Sequence, residues 1–262
     1  MTTTWSDPIA AHFPSLTPGD VHVWRAGLDL DAPELERLRK ILAPDELARA
    51  GRFHFETDRR HFIASRGILR EILARYLICG AERLKFRYSP YGKPRLAPET
   101  RGDGLYFNLS HSHDLALYAI SRFPEIGVDI ELVRGDFPCR ELAQRFFSPS
   151  EINALHSLPE SARRLAFFSC WTRKEAFSKA QGKGLSIPLD EFAVSIGPGE
   201  PASLLQAESD SVEVSGWVLK EIFPAQEYIA AVAVKAPHCQ IRCWQWMQRQ
   251  RSSVCTPAAS VH

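Results

Sequence analysis

Hydrophobic and polar residues follow two different periods along the chain. Apolar positions three or four residues apart predict helices at 32–41, 44–53, 58–77, 139–146, 149–157 and 161–181. Apolar runs whose side chains alternate between two faces predict strands at 21–24, 105–108, 116–121, 127–131, 192–196 and 228–234. Helices and strands occur in both halves of the chain, so the pattern predicts the α+β class.

The predicted helices contain two stretches that resemble each other. The matching segments are 42–46 with 147–151, 59–62 with 163–167, and 70–71 with 174–175. Each stretch places a proline at the first helical position and is followed by a Gly-Lys turn. We interpret this as a duplication, with α+β halves at 1–123 and 124–246 and a flexible tail at 247–262. A chance match over a few residues is the alternative.

Composition excludes several classes of function. The chain has 262 residues and a formal net charge of +1, so no overall field recruits nucleic acid or an anionic membrane. No apolar run is long enough to span a bilayer, and the first ten residues do not form a basic, apolar leader. The six cysteines are scattered, without a Cys-x-x-Cys pair. We therefore expect free thiols and a cytoplasmic protein.

Two carboxylates on one predicted strand are the first candidate site. Asp129 and Glu131 alternate with apolar residues in the segment 126–132, so they project from the same face of the strand. Their Cα atoms are expected to lie about 7 Å apart, which suits two oxygen ligands of one hard cation such as Mg²⁺. A half-exposed strand with solvated acids is the alternative.

Two predicted helices carry further acids. Glu151 follows Ser148 and Pro149 in the pattern of a capping box, and from the residues alone the cap is the favoured role. Trp171, Glu175 and Lys179 are spaced four residues apart and share one stripe of a helix. This stripe suits a cleft wall that holds an acid and a cation together, whereas a surface ion pair is the alternative.

The segment 107–114 ends a predicted strand with polar groups. Ser110 and His111 can donate hydrogen bonds to phosphate oxygens. His111 and His113 could instead form a metal pair, although no further ligand is nearby in the sequence. A hydrolase triad is disfavoured, because adjacent Ser and His residues on a strand point to opposite faces. Lys93 lies in a Gly-Lys-Pro turn and could reach an anion.

Five motifs in order resemble the 4′-phosphopantetheinyl transferases of the Sfp type. They are Tyr91-Gly92-Lys93-Pro94, Asn108-Leu109-Ser110-His111-Ser112, Gly127-Val128-Asp129-Ile130-Glu131, Phe146-Phe147-Ser148-Pro149-Ser150-Glu151, and the segment from Trp171 to Lys179. The resemblance implies a pseudo-dimer of two α+β halves in one monomeric chain, with the active site in the cleft between them. It also implies that coenzyme A donates its phosphopantetheine arm to a serine hydroxyl of an apo acyl or peptidyl carrier protein, which leaves adenosine 3′,5′-bisphosphate.

The resemblance also implies roles for individual residues. Asp129, Glu131 and Glu151 would hold Mg²⁺ against the pyrophosphate. Glu175 would be the general base, Lys179 would pair with a pyrophosphate oxygen, and Asp129 completes the catalytic set. The coenzyme A contacts would come from Arg49, Lys93, Ser110, His111, Trp171 and Lys179.

The chain departs from the family at the grip on the 3′-phosphate. A position that is basic in many relatives is Glu46 here, and another that is Thr in some relatives is Phe62. Arg49 is therefore the main candidate for that grip, with Arg66 as a possible helper. The carrier protein is expected to contact the segment 137–161.

Two other functions remain open from the sequence. A Mg²⁺-dependent nucleotide pyrophosphohydrolase would use the same acids with water as the nucleophile. A non-catalytic module that binds coenzyme A or a carrier protein would need no base. The expected division of labour places the metal site in the second half and the nucleotide walls in the first half.

Overall fold

A computed structural model describes residues 2–8, 13–100, 102, 104–182, 188–197, 200–207 and 214–248. Most of the predicted flexible tail, residues 249–262, lies outside these ranges. Among the described residues, none of the helices combines the length and apolar character that crossing a membrane requires.

The chain folds into helices and short sheets, which confirms the α+β class. The first half contains β1 (Asp20–Gly27), α1 (Ala32–Arg39), α2 (Pro44–Ala50), α3 (Glu56–Leu77), β2 (Phe86–Tyr88), β3 (Pro94–Leu96), β4 (Tyr106–Ser112) and β5 (Leu115–Ser121). The second contains β6 (Ile126–Leu132), α4 (Cys139–Phe146), α5 (Pro149–Ser157), α6 (Glu160–Gln181), β7 (Phe192–Val194), β8 (Leu204–Ala207), β9 (Trp217–Ile222) and β10 (Tyr228–Lys235). The last strand is β11 (Gln240–Gln245).

The two halves repeat the same order of elements. Each runs strand, three helices, a short two-stranded ribbon and two further strands. The order of the main strands also repeats, because β5 lies antiparallel between β1 and β4, and β10 lies antiparallel between β6 and β9. The long helices α3 and α6 both have 22 residues. The repeat seen in the sequence therefore extends through the described topology, as a duplicated α+β unit predicts.

A buried ion pair occupies the same place in each half. In the first half, Arg70 Nε lies 2.6 Å from Glu46 Oε2, and Glu46 also accepts a bond from the Ala43 N–H at the start of α2. In the second, Lys174 Nζ lies 2.6 Å from Glu151 Oε2, and Glu151 accepts a bond from the Ser148 N–H. Each acid thus ties the start of a short helix to the long helix beside it.

The sheets of the two halves meet at the edges of β4 and β6. Side chains of β4 take the place of backbone acceptors there, since the Val128 N–H donates to Asn108 Oδ1 at 2.9 Å and the Leu132 N–H donates to Ser112 Oγ at 3.2 Å. Behind this seam, apolar residues of β1 and β5 pack against those of β6 and β10 in one shared core. The packed core holds the seam in place.

Candidate active site

Strand β6 presents Asp129 and Glu131 on one face, as the alternating pattern predicts. Ile126, Val128 and Ile130 are fully buried on the opposite face, so the register of the strand is fixed by its apolar side. Asp129 is buried to 3% exposure, and Glu131 is half-buried towards the end of the strand. The solvated-strand alternative therefore does not describe Asp129.

Helix α6 approaches β6 closely at Gly127. A Cβ atom added to Gly127 would lie 2.0 Å from the Ala176 carbonyl oxygen and 2.4 Å from the Ala180 nitrogen. Side chains other than hydrogen cannot be accommodated at this distance, so glycine is required by close backbone approach. The contact brings the last turns of α6 over the acids of β6.

Lys179, Asp129 and Ser110 form a hydrogen-bonded triangle across the seam. Lys179 Nζ lies 2.6 Å from Asp129 Oδ1 and 3.0 Å from Ser110 Oγ, and Ser110 Oγ donates to Asp129 Oδ1 at 2.9 Å. Desolvation disfavours the Lys179 ammonium, but Asp129, Glu175 and Glu131 together outweigh it and raise the pKa of Lys179. Lys179 therefore remains a cation at neutral pH.

Glu175 belongs to the same electrostatic cluster. Burial and the Asp129 carboxylate both raise the pKa of Glu175, while the Lys179 ammonium opposes them. Trp171 lies further along the stripe and packs on Phe167 and Phe146, with ring centroids 5.9 and 5.6 Å away. The predicted stripe thus faces β6 through its acid and its cation, whereas its aromatic end belongs to the core between α4 and α6.

Glu131 is held at the far end of β6 by Ser112, whose Oγ donates to Glu131 Oε2 at 2.9 Å. Burial, reinforced by the Asp129 carboxylate, raises the pKa of Glu131 to about 7. Two desolvated carboxylates that face the same way repel each other, and a bound cation would relieve that repulsion.

The donors on β6 fit a hard divalent cation. Asp129 Oδ2 is buried and has no hydrogen-bond partner among the described residues, although an unpaired buried oxygen is costly. The available atoms are carboxylate oxygens, which Mg²⁺ prefers, and Mg²⁺ commonly takes one or two carboxylates together with substrate phosphates and water. Within the described ranges, no group of three or more acids, histidines or cysteines is placed so that it could hold a metal ion. The two carboxylates of β6 are within the number that Mg²⁺ takes from a protein.

Glu151 does not belong to this cluster, which corrects the expectation that it holds the metal. Glu151 Oε1 accepts hydrogen bonds from Lys174 Nζ and the Val194 N–H, both at 2.8 Å. Oε2 accepts bonds from Lys174 Nζ at 2.6 Å and the Ser148 N–H at 2.8 Å. These four hydrogen bonds fill the lone-pair sites of the carboxylate. The capping box is confirmed, and Glu175 takes the place of Glu151 as the third acid near Asp129.

Lys93 lies at the seam, but its ammonium faces protein groups. Nζ donates to the carbonyl oxygens of Ile126, Lys179 and Ala180 at 2.9, 2.7 and 3.2 Å. An ammonium has three N–H donors, so these three acceptors use all of them. The expectation that the Lys93 side chain binds the nucleotide does not fit this arrangement.

The remaining predicted contacts lie on the first half. His111 is exposed on β4, and desolvation together with the nearby Lys179 and His61 lowers its pKa. Arg49 is exposed on α2, with its guanidinium 5.4 Å from the ring centroid of Phe62. Arg66 is buried and pairs with Glu46 at 3.0 Å.

Three residues without a predicted role build the frame of the site. Asn108 and Ser112 bridge the two sheets, and Gly127 permits the contact with α6. The polar residues at alternate positions of β4 were a usable signal for a shared face.

Comparisons with known proteins identify the family of this chain. The profile of the 4′-phosphopantetheinyl transferase superfamily matches residues 125–233, and that of the N-terminal domain of 4′-phosphopantetheinyl transferase matches residues 31–122. The chain is 42% identical over 232 residues to 4′-phosphopantetheinyl transferase HetI of Nostoc sp. (strain PCC 7120), which covers 88% of this chain and 94% of the relative.

More distant relatives carry similar names. The chain is 30% identical over 190 residues to 4′-phosphopantetheinyl transferase Sfp of Bacillus subtilis (strain 168), covering 71% of this chain and 82% of the relative. A solved holo-[acyl-carrier-protein] synthase from Thermotoga maritima aligns with 43% of this chain and 62% of its own, at 20% identity and a TM-score of 0.35. The chain therefore belongs to the 4′-phosphopantetheinyl transferase superfamily, and the resemblance inferred from its motifs is confirmed.

Proposed function

We propose that this enzyme transfers the 4′-phosphopantetheine arm of coenzyme A to a serine hydroxyl of an apo acyl or peptidyl carrier protein. The observation that carries the proposal is the cluster at the seam, where Lys179, Asp129 and Ser110 bond to one another beside Glu175. A cation, an acid of raised pKa and paired carboxylates are the groups that transfer to a hydroxyl requires.

Each residue has a defined task in the reaction. The serine oxygen forms a bond to the phosphorus that bears pantetheine, and the bond from that phosphorus to the bridging oxygen of the pyrophosphate breaks. Glu175 takes the serine proton, and its raised pKa favours that task near neutral pH. Lys179 pairs with a pyrophosphate oxygen as charge builds on the departing adenosine 3′,5′-bisphosphate.

Asp129 and Glu131 would hold Mg²⁺, with the unpaired Asp129 Oδ2 as the first ligand. Bound there, Mg²⁺ would neutralise the charge of the pyrophosphate. Lys179 and Ser110 keep the other Asp129 oxygen oriented, so the carboxylate is fixed before substrate arrives.

Ser110 and His111 on β4 are the proposed contacts of the pyrophosphate region. Arg49 on the exposed face of α2 is the proposed contact of the 3′-phosphate. Trp171 supports the wall that carries Glu175 by packing in the aromatic core. The carrier protein would dock on the segment 137–161 of the second half, and one chain would supply both walls of the cleft.

Intact mass spectrometry of an apo carrier protein tests the proposal. Incubation with this protein, coenzyme A and Mg²⁺ should add one phosphopantetheine to the carrier serine. Asp129→Ala should abolish the gain, whereas Glu36→Ala, at an exposed acid on α1, should not. Hydrolysed coenzyme A with an unmodified carrier would instead identify a pyrophosphohydrolase, and binding without turnover would identify a binding module.

A further inference from the structure

We propose that Lys93 is a positioning residue, which fixes the last turn of α6 against β6 and thereby holds Lys179 on Asp129. The part of the test that measures activity rests on the proposed transfer reaction. The inference begins with the contacts of one side chain that joins three elements: the β2–β3 ribbon of the first half, the start of β6 and the end of α6.

Two of the acceptors of Lys93 are backbone carbonyls in the last turn of α6. The last carbonyls of a helix have no intrahelical N–H donor, and α6 ends at Gln181 with Gly182 in the left-handed conformation. The Gly182 N–H reaches the Lys179 carbonyl at 3.2 Å, and Lys93 Nζ supplies a shorter bond to the same oxygen at 2.7 Å. A cation also complements the negative end of a helix dipole.

The ribbon holds Lys93 firmly in place. The Ser89 N–H donates to the Lys93 carbonyl at 2.9 Å, and the Lys93 N–H donates to Ser89 Oγ at 3.1 Å. Gly92, with a φ of 80°, makes the turn before Lys93. The backbone around Lys93 is therefore well defined, and it directs the ammonium between the end of α6 and the start of β6. There the ammonium contacts Ile126, which precedes Asp129 by three residues.

Burial and two charged neighbours decide the charge of Lys93. Burial lowers its pKa to about 8, Arg95 acts in the same direction, and Glu125 opposes them. Above that pH the neutral amine keeps two N–H donors for three carbonyls. The junction should therefore loosen as pH rises through about 8, without any mutation.

Hydrogen exchange tests the positioning role directly and needs no activity. Lys93→Met should increase exchange at the end of α6 and the start of β6 at least tenfold, and Lys93→Gln, which keeps two donors, should increase it less. The end of α3 serves as an internal reference. The wild-type protein should show the same local increase, relative to α3, between pH 7 and pH 9. Unchanged exchange at α6 and β6 under both perturbations would overturn the proposal.

Transfer kinetics then separate positioning from direct substrate binding. Lys93→Met should lower kcat about tenfold or more with little change in the KM for coenzyme A, but should have almost no further effect in a Lys179→Ala background. The proposal would be overturned if Lys93→Met mainly raised the KM for coenzyme A and had the same effect in the Lys179→Ala background as in the wild-type protein. Lys93 would then be a ligand of coenzyme A. If the wild-type protein showed no transfer, the proposed function would be contradicted, but the hydrogen-exchange result would still test the positioning role.

Discussion

Gly127→Ala probes the contact that assembles the active site. The new Cβ would lie 2.0 Å from the Ala176 carbonyl oxygen, 2.4 Å from the Ala180 nitrogen and 3.0 Å from the Ala180 Cα. All three obstacles are backbone atoms of α6, so no side-chain rotamer can relieve the overlap. The helix and the strand have to move apart, by about 1 Å if the nearest contact is to reach 3 Å.

Two costs follow from that separation. Overpacking a close-packed contact typically costs about 1–3 kcal/mol of unfolding free energy, and we expect the upper end because the backbone must move. A shift of about 1 Å would also stretch the 2.6 Å bond from Lys179 to Asp129 beyond charge-assisted hydrogen-bonding distance. Misplacement of that size can reduce turnover on the order of 100-fold.

Urea denaturation and phosphopantetheine transfer to a carrier protein measure the two effects. Gly51→Ala is the matched control, because a Cβ there would meet its nearest atom at 3.6 Å and its backbone is helical. The control should stay within about 0.5 kcal/mol of wild type and keep full activity. If Gly127→Ala is as stable and as active as the control, the close approach of α6 to β6 is not what positions Lys179.

Three further perturbations test the ion pairs and the buried histidine. Lys174→Met should cost about 3–5 kcal/mol of unfolding free energy, since it leaves the buried Glu151 without its cation, whereas Arg39→Met at an exposed pair should leave the unfolding free energy almost unchanged; equal losses would contradict this. Burial lowers the pKa of His22 from its usual 6.5 to about 4, so only the unfolded chain takes up this proton as pH falls through that window. As pH falls from 6.5 to about 4, the unfolding free energy measured in urea should fall by about 3 kcal/mol more in the wild-type protein than in His22→Gln. Parallel curves of stability against pH for the two proteins would refute the assignment. Glu175→Gln should reduce transfer at least 100-fold with coenzyme A binding retained, as isothermal titration would show.

The repeated order of elements does not extend to the acids. Asp129 and Glu131 project from the face of β6 opposite the core shared by the two sheets, and the matching face of β1 carries the buried apolar residues Trp24 and Ala26. Glu71, the counterpart of Glu175, is paired with Arg37 at 2.6 Å. The first half therefore has no equivalent pair of carboxylates. Loss of transfer in Asp129→Ala but not in Glu71→Ala would support this division.

The same repeated position also accounts for the error over Glu151. Its match to Glu46 was visible in the sequence, and both acids cap a short helix and pair with a cation of the long helix. Spacing within a motif shows which residues share a helix, but the partner of a buried acid comes from another element. Here that partner is Lys174, which together with the Ser148 and Val194 N–H groups fills the lone pairs of Glu151.

The sequence by itself determined the fold class, the repeat, the long helices and the shared face of Asp129 and Glu131. These are local properties, because helical and strand periods arise from neighbouring residues. It missed the short strands β2, β3, β8, β9 and β11, and it extended α2 past Gly51, because short strands form only against their partners.

The tertiary structure alone decided which side chains meet. Ser110 on β4 and Lys179 on α6 both bond to Oδ1 of Asp129, although they are 19 and 50 residues away from it in the sequence. Lys93 could have faced substrate or protein, and the three carbonyls at the end of α6 and the start of β6 decide for protein. Contacts of this kind depend on packing between distant elements, which no local pattern in the chain encodes.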